Sequence, residues 1–191
     1  AQVSVRNTAI NSADTGRPCV RLLTNSASTT LDIVSAPGGC GLCCDKPDET
    51  SVIGTVSVLA EASDTRFVSG PGLIISIYRQ RGGNNLLELA DTLDSLDFYG
   101  GILRTEGMAA GIFAAAIANG IWYANNADAG ASYSVALALT VNQGGIVDTL
   151  GSTVSRKFTT ATVRPGGIIR YDSDVLSFTT LHTEGPAAIM G

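Results

Sequence analysis

Ser132-Tyr133-Ser134-Val135-Ala136-Leu137-Ala138-Leu139-Thr140-Val141 carries large apolar and small or polar side chains in strict alternation. Tyr133, Val135, Leu137, Leu139 and Val141 fall on one side, against Ser134, Ala136, Ala138 and Thr140 on the other. A period of two is that of a strand with one face on a core and the other towards water. The same texture recurs in Thr29 to Val34, Gly54 to Ala60, Leu73 to Tyr78, Thr153 to Thr159, Gly167 to Tyr171 and Val175 to His182.

Turn signals separate these runs: Pro37-Gly38-Gly39, Gly70-Pro71-Gly72, Arg81-Gly82-Gly83-Asn84-Asn85, Gly144-Gly145 and Pro165-Gly166-Gly167. Short strands punctuated this regularly predict a mostly β chain folded as an antiparallel β-sandwich, jelly roll or small barrel. No repeat at a solenoid or propeller period is read, so the strands are expected to close one core together. At 191 residues the chain is expected to be a single domain over 1–191.

One segment reads as a helix. Leu86, Leu89, Ala90, Leu93 and Leu96 recur at helical spacing, Asn85 is placed to cap, Glu88 follows three residues later, and Gly100 and Gly101 end the run. A short helix is therefore expected near 86–98, with Glu88, Asp91, Asp94 and Asp97 on a solvated face. Met108 to Ala118 stays undecided between helix and strand, since its alanines and its Ile112-Phe113 pull in opposite directions.

Composition narrows the function classes. The net charge is −5, and the basic residues, ten Arg and two Lys, are scattered rather than clustered. Neutralising phosphates needs clustered cations, so direct nucleic-acid binding is not expected. No run of eighteen apolar residues occurs and the start is polar, so neither a membrane span nor a signal peptide is read. Charged residues make up only 15% of the chain, which suits a surface spent on neighbouring subunits, because interface cores are depleted in charge.

The sharpest chemical feature is Cys40-Gly41-Leu42-Cys43-Cys44. Cys40 and Cys43 have the spacing of two zinc ligands, with Cys19 and Cys44 or His182 completing a set, but the second half of a paired knuckle is missing. The alternatives are a disulfide from Cys19 into this loop, or plain reduced thiols. Asp45, Asp48 and Glu49 follow, a negative field that disfavours a redox-active thiolate. No other cofactor is implied.

Catalytic signals are thin. His182 is the one histidine and no Gly-x-Ser-x-Gly elbow accompanies it. Asp91, Asp94 and Asp97 would share solvent on one helix face and not diverge in pKa. The Gly82-Gly83 turn matches neither nucleotide-binding fingerprint. Trp122 and Tyr123, beside Asn125 and Asn126, are candidates for a sugar or partner contact, with core packing as the other reading. The tail, about 184–191, ends on Ile189 and Met190 and is a candidate docking arm, as is the N-terminal segment, about 1–16.

Ala131-Ser132-Tyr133-Ser134-Val135-Ala136-Leu137, with Val154 to Phe158 and Val175 to Leu181, resembles the closing strands of jelly-roll proteins of virus and phage particles. The resemblance implies a coat, cement (decoration) or spike protein, usually a trimer, and carries over no functional residue. Absence of a basic arm departs from coat proteins that bind RNA. The expectation is a non-enzymatic virion protein assembled in host cytoplasm, binding itself and other capsid proteins. The alternatives are a carbohydrate- or ligand-binding module, which would be secreted, and a zinc protein using the Cys40 to Cys44 loop.

Overall fold

In the computed structural model of the chain the described residues are 2–5, 20–22, 26–33, 42–44, 51–59, 65–68, 73–88, 93–105, 112–124, 133–151, 156–172 and 176–191. They form two large sheets and a small one. The first, of nine strands, stacks β1 (Gln2–Val5), β3 (Ser26–Ile33), β5 (Ser51–Val58), β7 (Leu73–Gln80), β9 (Leu93–Phe98), β11 (Ile112–Ile117), β13 (Tyr133–Val141), β15 (Arg156–Val163) and β17 (Leu176–Thr183) in chain order. The second, of seven, stacks β6 (Thr65–Val68), β8 (Asn84–Glu88), β10 (Gly101–Arg104), β12 (Gly120–Tyr123), β14 (Gly145–Asp148), β16 (Ile168–Arg170) and β18 (Ala188–Met190). A third sheet is the pair β2 (Val20–Leu22) with β4 (Leu42–Cys44), and β4 lies beside β6 at the edge of the second sheet.

Every pairing is parallel, and the chain alternates between the two large sheets, so the architecture is a parallel β-solenoid. This overturns the antiparallel β-sandwich or jelly roll. Among the described residues the glycine turns at 81–85, 144–145 and 165–167 are corners, while those at 37–39 and 70–72 lie outside the described residues: after β7 the chain turns at residues 81–83 and enters β8 in the other sheet, while β7 pairs with β9. Each strand thus meets its partner one coil later, about 20 residues on.

Inward side chains stack in columns between the sheets. From the first sheet, Val56, Tyr78, Leu96, Ala115, Leu139 and Ala161 form one column in register, all buried. Val58, Gln80, Phe98, Ile117, Val141 and Val163 form the next. From the second sheet Leu103, Trp122, Val147 and Ile169 face them, each fully buried. Such side chains contribute about 1.5–3 kcal/mol apiece, and here every rung adds to one continuous core.

The helix expected near 86–98 is absent: this segment holds part of β8, then β9. Leu93 and Leu96 are both fully buried, in the burial order buried, exposed, partial, buried, partial, buried, and the same interval of three separates the buried pairs Ile53 and Val56, Ile75 and Tyr78, and Ile112 and Ala115 on the strands of this sheet. Two less buried residues thus separate successive buried positions, a spacing that matches a helical i, i+3. Asn85 is no cap either; it is buried in the core and its Nδ2 donates to Gly82 O at 3.1 Å. Residues 112–117, undecided from the sequence, are strand.

The corners hold the two sheets close. Gly120 stacks on Gly101, and a Cβ at Gly120 would lie 2.5 Å from Gly101 O. Only glycine lets the backbones approach so nearly.

Candidate interaction surface

Alternation along the second sheet sends Ile102, Ile121, Ile146 and Ile168 to the face opposite the core column. They stack in register as an isoleucine ladder, and all four are partly exposed. β-Branched side chains suit this position because they pack on their rung neighbours along a pleated surface.

A second column runs beside it: Arg104, Tyr123 and Arg170, partly exposed, with Asp148 in the same register but buried. The Arg104 guanidinium lies 5.6 Å from the centre of the Tyr123 ring, and its Nη1 donates to Asn84 Oδ1 at 2.5 Å. Asp148 accepts from the Leu150 backbone N–H at 3.0 Å on Oδ1, while Oδ2 is 3.7 Å from Arg170 Nη1. This column is therefore held in place by contacts between neighbouring rungs, not left as loose side chains.

The first sheet presents a different outer face. Thr55, Ile77, Ser95, Ala114, Ala138, Thr160 and Thr180 stack in one column. Ser57, Arg79, Asp97, Ala116, Thr140, Thr162 and His182 stack in the next, where Arg79 Nε donates to Asp97 Oδ2 at 3.1 Å. Small and hydroxyl side chains dominate here, so the isoleucine ladder gives the two outer faces unlike chemistry.

The residues singled out from the sequence scatter over this frame. Trp122 is fully buried, its Nε1 donating to Thr105 Oγ1 at 3.1 Å, so its ring serves the core. Tyr123, its neighbour, points to the outer face beside the ladder. Ile189 and Met190 lie on β18, in register with Ile169 and Arg170, and Met190 is half exposed. Residues 2–5 of the N-terminal segment are β1, paired with β3.

Cys43 and Cys44 are successive positions of β4, in register with Arg21 and Leu22; Cys19 and Cys40 lie outside the described residues. Among the described residues no three His, Cys, Asp or Glu side chains come together as a metal site would require. His182 is exposed on β17, opposite Thr162. Asp94 is exposed and Asp97 is paired with Arg79, while Asp91 lies outside the described residues. No helix among the described residues is long and apolar enough to cross a membrane.

The ladder itself went unread in the sequence, although its signal is there. Gly101-Ile102-Leu103-Arg104, Gly120-Ile121-Trp122-Tyr123, Gly145-Ile146-Val147-Asp148 and Gly167-Ile168-Ile169-Arg170 share one order: corner glycine, outward isoleucine, inward apolar residue, outward polar or aromatic residue. Comparison with family models, with curated proteins and with solved structures finds no match to this chain.

Proposed function

We propose that the chain is a non-enzymatic structural protein that self-associates, of the kind built into virus or phage particles as a cement or spike component. The isoleucine ladder carries this reading. Four partly exposed isoleucines aligned on one rigid sheet form a contiguous apolar stripe, and such stripes on ordered surfaces mark contacts between proteins. Low charge over the whole sequence and a stack whose outer faces are long and regular support the same reading.

Sedimentation velocity at tens of micromolar tests it: the wild-type chain sediments as an oligomer, and the double variant Ile121→Lys, Ile146→Lys shifts towards monomer with an unchanged β-type circular dichroism spectrum. A wild-type chain that stays monomeric up to hundreds of micromolar overturns the proposal.

A further inference from the structure

We propose that Asn119 is a site of spontaneous covalent modification, where the chain converts an asparagine into isoaspartate at the corner that feeds β12. Asn119-Gly120 is the only Asn-Gly pair in the sequence. Asn119 is exposed at the corner between β11 and β12, and among the described residues it is the only one besides glycine with a positive φ, 53°. The next coils place Gly144 and Gly166 before their corner glycines, with φ of 71° and 78°. Asparagine is among the few side chains that replace glycine readily in this left-handed conformation. Of the asparagines among the described residues, the other three have their carboxamides bound: Asn84 accepts from Arg104 Nη1, Asn142 from Arg164 Nη1 at 3.1 Å, and Asn85 donates to Gly82 O at 3.1 Å. The Asn119 backbone N–H donates to Gln143 O at 3.4 Å, yet its carboxamide makes no hydrogen bond among the described residues.

An exposed, unbonded side chain changes rotamer in picoseconds to nanoseconds, so Cγ is brought repeatedly towards the Gly120 nitrogen, and glycine has no Cβ to obstruct the approach. Proximity within one chain takes the place of a second reactant. The Gly120 nitrogen gives its proton to hydroxide and bonds to Asn119 Cγ; the Cγ–Nδ2 bond breaks, and Nδ2 leaves as ammonia with a proton from water. Water then opens the cyclic imide. Attack at the backbone carbonyl carbon of Asn119 leaves the chain running through Cβ and Cγ, which is isoaspartate, while attack at Cγ leaves aspartate. The net change exchanges an amide and a water for a carboxylate and ammonium. Isoaspartate lengthens the backbone between Ile117 and Ile121, both held in register with the coil that follows, and adds a negative charge at the corner.

The test incubates the purified chain for weeks at mildly alkaline pH, folded in buffer and, in parallel, unfolded in guanidinium chloride. Peptide mapping distinguishes isoaspartate from aspartate, and circular dichroism follows the folded sample. The expected result is an acidic species whose mass gain maps to Asn119, with isoaspartate in excess, formed in the folded chain at no less than about a hundredth of the unfolded rate. Reaction through global unfolding alone would be slower by about a thousandfold or more. Asn119→Gly keeps the left-handed corner and abolishes the species. A folded rate below that bound overturns the proposal, because the corner then holds the carboxamide away from Gly120. So do a mass gain shared equally with Asn84, Asn85 or Asn142, aspartate without isoaspartate, and an acidic species that persists in Asn119→Gly.

Discussion

Gln80 donates from Nε2 to the carbonyl oxygen of Ile102 across the corner at 2.9 Å, from a position with no exposure to solvent. The other buried members of its column are apolar, with Val58 before it and Phe98 after it. The same Nε2 lies 3.3 Å from Gly100 O and 3.4 Å from Gly83 O, and Oε1 accepts the Tyr78 hydroxyl at 3.2 Å. A glutamine here supplies the polar partners that a tight, buried corner lacks.

Gln80→Leu keeps much of the volume and removes those partners. It is expected to destabilise the fold by about 1–3 kcal/mol, because buried donors and acceptors lose their bonds. Urea unfolding measures this; a change below about 0.5 kcal/mol contradicts the role given to Gln80.

Gly120→Ala and Gly151→Ala separate crowding from backbone conformation. At Gly120 the new Cβ would lie 2.5 Å from Gly101 O and 2.7 Å from the Phe98 ring, so something must move. At Gly151 nothing lies within 4 Å, and only the positive φ of 72° is unfavourable for alanine. Expected losses are about 3 kcal/mol or more for Gly120→Ala and about 1 for Gly151→Ala. Equal losses in thermal melts would show that the corner is looser than described.

Trp122 is the only tryptophan and is fully buried. Its native fluorescence should be blue-shifted and insensitive to iodide, whether or not the chain is associated. Trp122→Phe loses the bond to Thr105 and part of the ring, costing about 1–3 kcal/mol. Strong iodide quenching of the native protein would move this side chain from the core to the surface.

Tyr78 sets an alkaline limit. Burial disfavours its phenolate and raises its pKa above the ordinary 10.0. Above that pH the unfolded chain releases the proton and the folded chain keeps it, so stability is intact below pH 10.0 and falls as pH rises past it. The fall approaches about 1.4 kcal/mol per pH unit. Denaturant unfolding between pH 8 and about 11.5 should show a shallower decline for Tyr78→Phe than for wild type. Parallel declines would mean that Tyr78 ionises in the folded state.

Strand content was legible because alternation is local: Ser132 to Val141 names its inward side by period alone, and Leu139 and Val141 are indeed buried. The helix expected near 86–98 arose from the same kind of evidence. Leu93 and Leu96 are buried three apart on a strand, and a spacing of three cannot by itself distinguish this burial pattern from a helical turn. The repeat escaped because its interval varies: Gln80 stacks on Phe98, yet Ile117 stacks on Val141. Connections of unequal length carry the chain to the same rung, so a search at constant period slides out of phase while the Gly-Ile corners keep their order.

By itself the sequence determined that this chain forms short strands, where it must turn, and which side chains of each strand are greasy, since these follow from neighbours two or three residues away. Whether a strand pairs with the next run antiparallel or with a run one coil later in parallel was decided only by the tertiary structure. That choice depends on bringing distant backbones into register, and no local propensity specifies it. The isoleucine ladder exists for the same reason: Ile102, Ile121, Ile146 and Ile168 become one surface only when the rungs stack.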